Sequence, residues 1–257
     1  MKRIKLKKLH IVAIVLVLSV AMIAAAGGTL AYFTDDREIT NVFTAGNVYI
    51  DLTEAAVKDD GTGNLIEDPD QPRVHGVALD SVEKAEHNYG MLYPGKVIHK
   101  DPTIQNTGDD PAYIAAKIII TDGNGDINKL YGFENSEYID IELLLTGGLL
   151  GEVVHVGKWK NFENAYYNDN FAMVQVPDAA NGVYEFYIFL LDQCEKDEKI
   201  VLFDTMTIFS DFGTEQMQEL EGLEITVQAF AVQTFGFENV YFAMTRAFPD
   251  HFGKLTQ

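Results

Sequence analysis

An all-β fold, an antiparallel sandwich of two sheets with a few short helices, is predicted by three features of this 257-residue sequence. Apolar residues recur with period two in several segments, and turn sequences rich in Gly, Pro, Asn and Asp separate them. Helical patterning is confined to two short stretches, and many short strands with such turns build sandwiches rather than α/β folds.

The elements follow in order. Val48, Ile50 and Leu52 alternate with Asn47, Tyr49 and Asp51. Ile114, Ala116, Ile118 and Ile120 share one face, opposite Lys117 and Thr121. Leu223, Ile225, Val227, Ala229 and Ala231 do the same, opposite Glu224, Thr226 and Gln228. These are patterns of half-buried strands with a polar face toward solvent. The runs Tyr138 to Leu145, Val183 to Leu191 and Lys199 to Phe209 are more continuously apolar and β-branched or aromatic, which predicts central strands. Turns are expected at Pro94-Gly95, Thr107-Gly108-Asp109, Asp122-Gly123-Asn124-Gly125 and Asn181-Gly182. Glu215 to Glu221 and Glu238 to Phe248 read as helices, the second stopped before Pro249. Asp59 to Arg73 is polar, acidic and Gly/Pro-bearing, and reads as a surface loop. No repeat of 20 to 50 residues is visible.

The N-terminus has a different character. Lys2, Arg3, Lys5, Lys7 and Lys8 form a basic cluster, Ile11 to Ala26 is apolar apart from Ser19, and small residues follow from Ala24. This is the layout of a signal helix that is removed on export. A retained transmembrane anchor is the competing reading, because the run is long enough to span a bilayer. Gly27, Gly28 and Thr29 weaken a helix where an anchor would continue, which favours cleavage. Two small-x-small frames compete, Ala24-Ala25-Ala26 and Thr29-Leu30-Ala31.

The residues around the second frame resemble the start of the TasA/camelysin family, secreted Gram-positive proteins processed by a dedicated (SipW-type) signal peptidase. The motif runs Gly27-Gly28-Thr29-Leu30-Ala31, then Tyr32-Phe33-Thr34-Asp35, then Phe43-Thr44-Ala45-Gly46. Weaker similarity recurs from Tyr93 to Ile118 and from Leu223 to Asn239, while about 122 to 200 carries no diagnostic motif. The resemblance implies cleavage between Ala31 and Tyr32, which makes 1–31 a signal peptide. It implies a jelly-roll sandwich over 32–257, with 32–52 as an N-terminal arm and first strand. It also implies a biofilm matrix role.

Charge and cysteine usage agree with an extracellular product. The net charge of −20 would move to about −25 on loss of the five leader cations, a surface that repels nucleic acid and anionic membranes. Cys194 is the lone cysteine, so no intramolecular disulfide forms, and its acidic neighbours should raise the thiol's pKa. The C-terminal HFGKLTQ shows no hydrophobic tail, so a cleaved product is expected to be free or held by assembly, with no membrane association.

Motifs for catalysis are absent. A zincin needs His-Glu-x-x-His so that two imidazoles one helical turn apart share a zinc, and no such sequence occurs. His75, His87, His99, His155 and His251 are scattered, and Gly-x-Ser-x-Gly is missing. No catalytic, cofactor or metal residues are therefore assigned. The strongest calcium candidate is Asp122, Asn124, Asp126 and Asn128, whose oxygens alternate as in a calcium loop. Ile127 occupies the position that needs glycine, and Phe133 that of the bidentate glutamate, which favours a plain polar turn leading into a short helix.

Two functions from different classes follow. In the first, the processed chain polymerises head to tail into extracellular fibres. The arm Tyr32, Phe33, Ile39, Val42 and Phe43 adds a strand to a neighbour's sheet edge, and an accessory protein anchors the fibre. In the second, the chain is a camelysin-like secreted or cell-surface metalloprotease.

Overall fold

The computed structural model describes residues 34–38, 48–77, 89–121, 127, 130, 141–152 and 154–256. The chain divides into two units, Met1–Tyr32 and Phe33–Gln257, and the second is the subject here. It is an all-β sandwich with few short helices.

A seven-stranded antiparallel sheet forms one layer. Its order is β1 (Thr34–Glu38), β16 (Glu224–Gln233), β8 (Ala112–Thr121), β13 (Val183–Leu190), β12 (Phe171–Asp178), β11 (Phe162–Tyr167) and β10 (His155–Trp159). The second layer is shared by two smaller sheets. One holds β14 (Lys199–Val201), β7 (Thr103–Asn106), β2 (Ile50–Glu54) and β5 (Val74–His75). The other holds β3 (Val57–Asp59), β4 (Leu65–Glu67), β6 (Val97–His99), β15 (Thr205–Thr207) and β9 (Leu145–Thr146). It includes one parallel contact, Leu65 with Ile98, an exception to the antiparallel pattern.

Alternation explains how the large sheet buries both faces. Ile114, Ala116, Ile118 and Ile120 of β8, Phe186 and Ile188 of β13, and Val227, Ala229 and Ala231 of β16 meet Ile50, Leu52, Ile98, Ile104 and Met206 of the smaller sheets. The opposite set, Ala115, Tyr187, Phe189, Phe230 and Val232, packs under the C-terminal helices Val240–Ala247 and Pro249–Phe252. Aromatic pairs tie this second core together: Phe230 lies 4.9 Å from Phe252 and 5.1 Å from Phe248, ring centre to ring centre. Each such pair adds about 0.5–1.5 kcal/mol to the area it buries. The first of these helices starts at Asn239, whose side chain accepts from the Phe242 N–H at 3.2 Å, a cap worth about 1 kcal/mol. Phe248 ends it, and Pro249, with no N–H to donate, opens the next.

Several elements differ from the sequence reading. The run Tyr138 to Leu145 was expected to be a central strand. Its described part is a helical turn, Ile141–Leu144, leading into the short β9. Ile141, Leu144 and Leu145 are all buried, and their i, i+3, i+4 spacing serves a helix. Lys199 to Phe209 is two strands rather than one, because the chain crosses between the small sheets at Leu202, Phe203 and Asp204. That crossing needs Gly148 (φ 53), where a Cβ would lie 2.6 Å from the Val201 carbonyl oxygen. Asp59 to Arg73 is largely exposed, yet its Leu65–Glu67 segment pairs with β3. Of the residues expected to meet solvent on β8 and β16, Glu224 is exposed and Thr121 and Thr226 are half-buried, whereas Lys117 and Gln228 are covered and buried. The covering layer is the C-terminal helix pair.

Candidate functional site

The edge of the large sheet at β16 is where sequence and structure converge. β1 lies on it as the outermost strand, in register from Thr34 with Val232 to Glu38 with Gln228. β1 is Thr-Asp-Asp-Arg-Glu, without one apolar residue. A polar strand with charged side chains protects a sheet edge from indiscriminate pairing. The expected anchors Tyr32, Phe33, Ile39, Val42 and Phe43 flank this strand and lie outside the described residues, as does the cleavage site Ala31–Tyr32.

The strand receiving β1 is apolar for most of its length. Val227 to Val232 are all buried, and Gln228 is the polar exception at 7% exposure. Its place in the register puts it beside Lys117 of β8, which in turn neighbours Tyr187 of β13. Lys117 Nζ is 2.7 Å from Glu185 Oε1, and Lys254 Nζ is 2.8 Å from Glu185 Oε2. Tyr187 donates to the same Oε2 at 2.8 Å. Burial acts to raise the Glu185 pKa, but Lys117, Lys254 and Tyr187 outweigh it and hold the carboxyl below its ordinary value. Sequence reading placed Lys117 and Gln228 on solvent faces. The signal that could have found them is the Val183 to Leu191 run, since a strand apolar on both faces obliges its neighbours to be covered on both.

Past Gln233 the chain turns through Thr234 to Asn239, at the end of β16 where β1 begins. Phe235 is 88% exposed and Phe242 47%, and a cleft of about 530 Å³ is lined by Phe237, Glu238, Phe242, Thr245 and Arg246. Lys160 Nζ sits 5.8 Å from the Trp159 ring and 5.9 Å from that of Phe242. Exposed apolar surface beside a sheet edge suits a protein contact.

A second polar cluster is internal. Lys100 Nζ donates to Glu54 Oε1 at 2.7 Å, and Tyr89 donates to the same oxygen at 2.6 Å. Burial and the Glu54 carboxylate push the Tyr89 phenol above its ordinary pKa. Nearby, Arg73 Nη1 donates to Asp101 Oδ2 at 2.7 Å, and the Ala55 N–H donates to Oδ1 at 2.8 Å. These groups join β2 to the β6–β7 connection and the Tyr89 loop.

The described histidines do not assemble. His75 Nδ1 is 2.9 Å from Asp51 Oδ2, His99 Nε2 is 3.7 Å from Asp101 Oδ1, and the His251 ring packs 5.0 Å from Phe230. Among the described residues no three His, Cys, Asp or Glu side chains are placed to hold one metal ion. Those residues do not fit a zinc centre, and no hydrolytic step is derived from them. Asp122, Asn124, Asp126 and Asn128 lie outside the described residues, whereas Ile127 between them is helical and buried. Cys194 is buried in a bridge with Ala112, and burial followed by the Glu198 carboxylate pushes its thiol up to about 12. That direction matches the expectation from its acidic neighbours. Among the described residues no helix is long and apolar enough to cross a membrane.

Residues 4–60 match a family described as camelysin metallo-endopeptidase. No curated protein and no solved structure matches the chain. The matched segment is less than half of the 257 residues, and it contains most of the expected leader, the expected cleavage motif, β1, β2 and β3. Over that segment the chain is similar to the camelysin proteins, which supports a broad relation to the TasA/camelysin family.

Proposed function

We propose that this chain is a secreted structural protein that loses residues 1–31 to a signal peptidase and assembles into extracellular fibres. In this reading β1 leaves the β16 edge of its own subunit and occupies the same edge of the next. The observation that carries the reading is the position of β1: a short polar strand, at the N-terminal end of the domain, on β16, whose Val227 to Val232 are buried. Exchange replaces one ladder by an identical ladder, so its enthalpic cost is small. Each hydrogen bond of that ladder contributes about 0.5–1.5 kcal/mol against the cost of ordering the arm. Passing a strand head to tail does not close on itself, so it yields a filament. The residues that flank β1, Phe33 and Ile39 nearest, with Tyr32, Val42 and Phe43 beyond, supply apolar contacts, each aromatic burial adding roughly 1.5–3 kcal/mol. An accessory protein that anchors the fibre to the cell is a compatible partner.

The test is deletion of Tyr32 to Phe43 from the processed chain. The truncated protein should stay a folded monomer by size-exclusion chromatography and show no filaments by electron microscopy. Filaments like those of the intact protein would refute strand exchange. The family description supports a second reading, a secreted or cell-surface metallo-endopeptidase. Chelator-sensitive cleavage of unfolded protein substrates by the purified chain would establish it.

A further inference from the structure

We propose that the cleft beside Phe235 and Phe242 docks the outer face of β4 and β6 of a second copy, a contact between subunits that is separate from strand exchange. The cleft joins exposed aromatic surface to free positive charge. Phe235 and Phe242 are both exposed, and Lys160 and Arg246 are exposed with them. Neither cation forms an ion pair with a described carboxylate, Glu238 of the same cleft included. Lys160 also holds φ 53, a left-handed conformation that glycine or asparagine adopts at less cost. From that turn its ammonium reaches the rings of both Trp159 and Phe242. In a chain of net charge −20, two free cations on an aromatic surface fit a partner that is acidic and apolar.

The chain itself carries such a surface. β4 and β6 meet in parallel, with Leu65 beside Ile98. Those two side chains face the core, so Ile66 and Val97, one residue along each strand, point outward. They are 45% and 38% exposed. Around them residues 59–70 carry five carboxylates and no lysine or arginine. Among the described residues the ion pairs of this stretch go to Lys58 alone, and the Asp70 side chain stays 88% exposed. The two surfaces lie on opposite sides of the sandwich. Phe242 and Arg246 belong to a helix that covers one face of the large sheet, whereas β4 and β6 belong to the layer packed on its other face. One chain cannot bring them together, but two copies can. Because the patches are unlike, each docked pair leaves one of each kind free, and the contact propagates along a filament. It joins successive subunits body to body, where strand exchange links them through the arm.

The test is Phe235→p-benzoylphenylalanine in the processed chain, irradiated at a concentration that supports assembly. Mass spectrometry of the covalent dimers should place the crosslink within residues 57–70 or 97–99 of the second copy. Arg246→Glu in the same chain should lower the dimer yield about threefold, the effect of one exposed charge pair. Lys199→Glu changes the net charge equally, from an exposed position on β14, and should leave the yield unchanged. Crosslinks to another surface only, no covalent dimer, or equal losses from the two substitutions would overturn the docking site. Fibres without this crosslink would overturn it and leave strand exchange standing. The crosslink without fibres would support the docking site and count against strand exchange.

Discussion

Lys100→Met should be one of the most destabilising single changes in the domain. The side chains of Lys100 and Glu54 are each 4% exposed, and their charged atoms are 2.7 Å apart. Glu54 Oε1 takes both Lys100 and the Tyr89 hydroxyl, while Oε2 has no hydrogen-bond partner. Removing the ammonium leaves a buried carboxylate with one neutral donor. Breaking a buried pair from one side costs about 3–5 kcal/mol. In a domain of this size about 2–4 °C of Tm accompanies each kcal/mol, so Tm should fall by about 6–20 °C. Glu54→Leu combined with Lys100→Met removes both charges. It should recover most of the loss, because a well-packed apolar pair is often neutral or more stable than the ion pair it replaces. Urea and thermal unfolding of the four proteins, followed by circular dichroism, complete a double-mutant cycle. A loss below about 1 kcal/mol for Lys100→Met, or a double variant as unstable as the single, would refute the reasoning. Neither residue belongs to β1 or β16, so the double variant should still form fibres.

Other outcomes are expected. Lowering the pH toward the sequence pI of about 4.5 should promote fibres of the processed chain, as repulsion between subunits falls; a fibre yield that rises with pH would contradict this. The fold should survive that change. Glu185 has a lowered folded pKa, so its stabilisation is present above the unfolded value and is lost only as pH falls through the folded one. Near-UV circular dichroism at pH 4.5 should therefore remain native. Cys194, with its thiol up at about 12, should react with a thiol reagent only after denaturant is added; immediate labelling of the native chain would show the site to be open. N-terminal sequencing of secreted protein should begin at or within one residue of Tyr32, and a start at Gly27 would move the processing frame.

The legible parts of the fold were those in which one pattern answers one environment. Ile114 to Ile120 and Val227 to Ala231 alternate because one face meets the smaller sheets, and they are the strands β8 and β16. The run from Val183 is apolar apart from Glu185 because β13 is a central strand, between β8 and β12, and is buried along almost its whole length. Where one pattern serves two structures, the reading failed. Ile139, Ile141 and Leu143 alternate like a strand, while Ile141, Leu144 and Leu145 repeat like a helix; packing chose the helix at 141–144. Lys117 and Gln228 read as surface residues because a lysine or glutamine in a strand normally faces water. Their burial is decided by the C-terminal helices, a hundred residues from Lys117 in sequence. No pattern within β8 or β16 themselves carries that information; only the apolar run of the neighbouring β13 hints at it.

The arm shows the same division at the site itself. The sequence pointed to the N-terminal arm through its apolar residues, because burial of Phe33 or Phe43 is the obvious source of affinity. The segment that pairs with β16 is instead the polar Thr34–Glu38 between them. Physical reasons favour this arrangement. A strand that must exist free of any edge, even briefly, exposes its main-chain donors and acceptors. An apolar one would pair with any other edge, including another arm. In the proposed exchange, charge would keep the free arm soluble while the main-chain ladder would supply attraction that is indifferent to side chains. On this argument apolar replacement of Asp35 and Asp36 should strengthen association and degrade its order. The product should shift from uniform filaments to amorphous aggregate in electron micrographs, and filaments of unchanged regularity would show that the acidic strand has no such role.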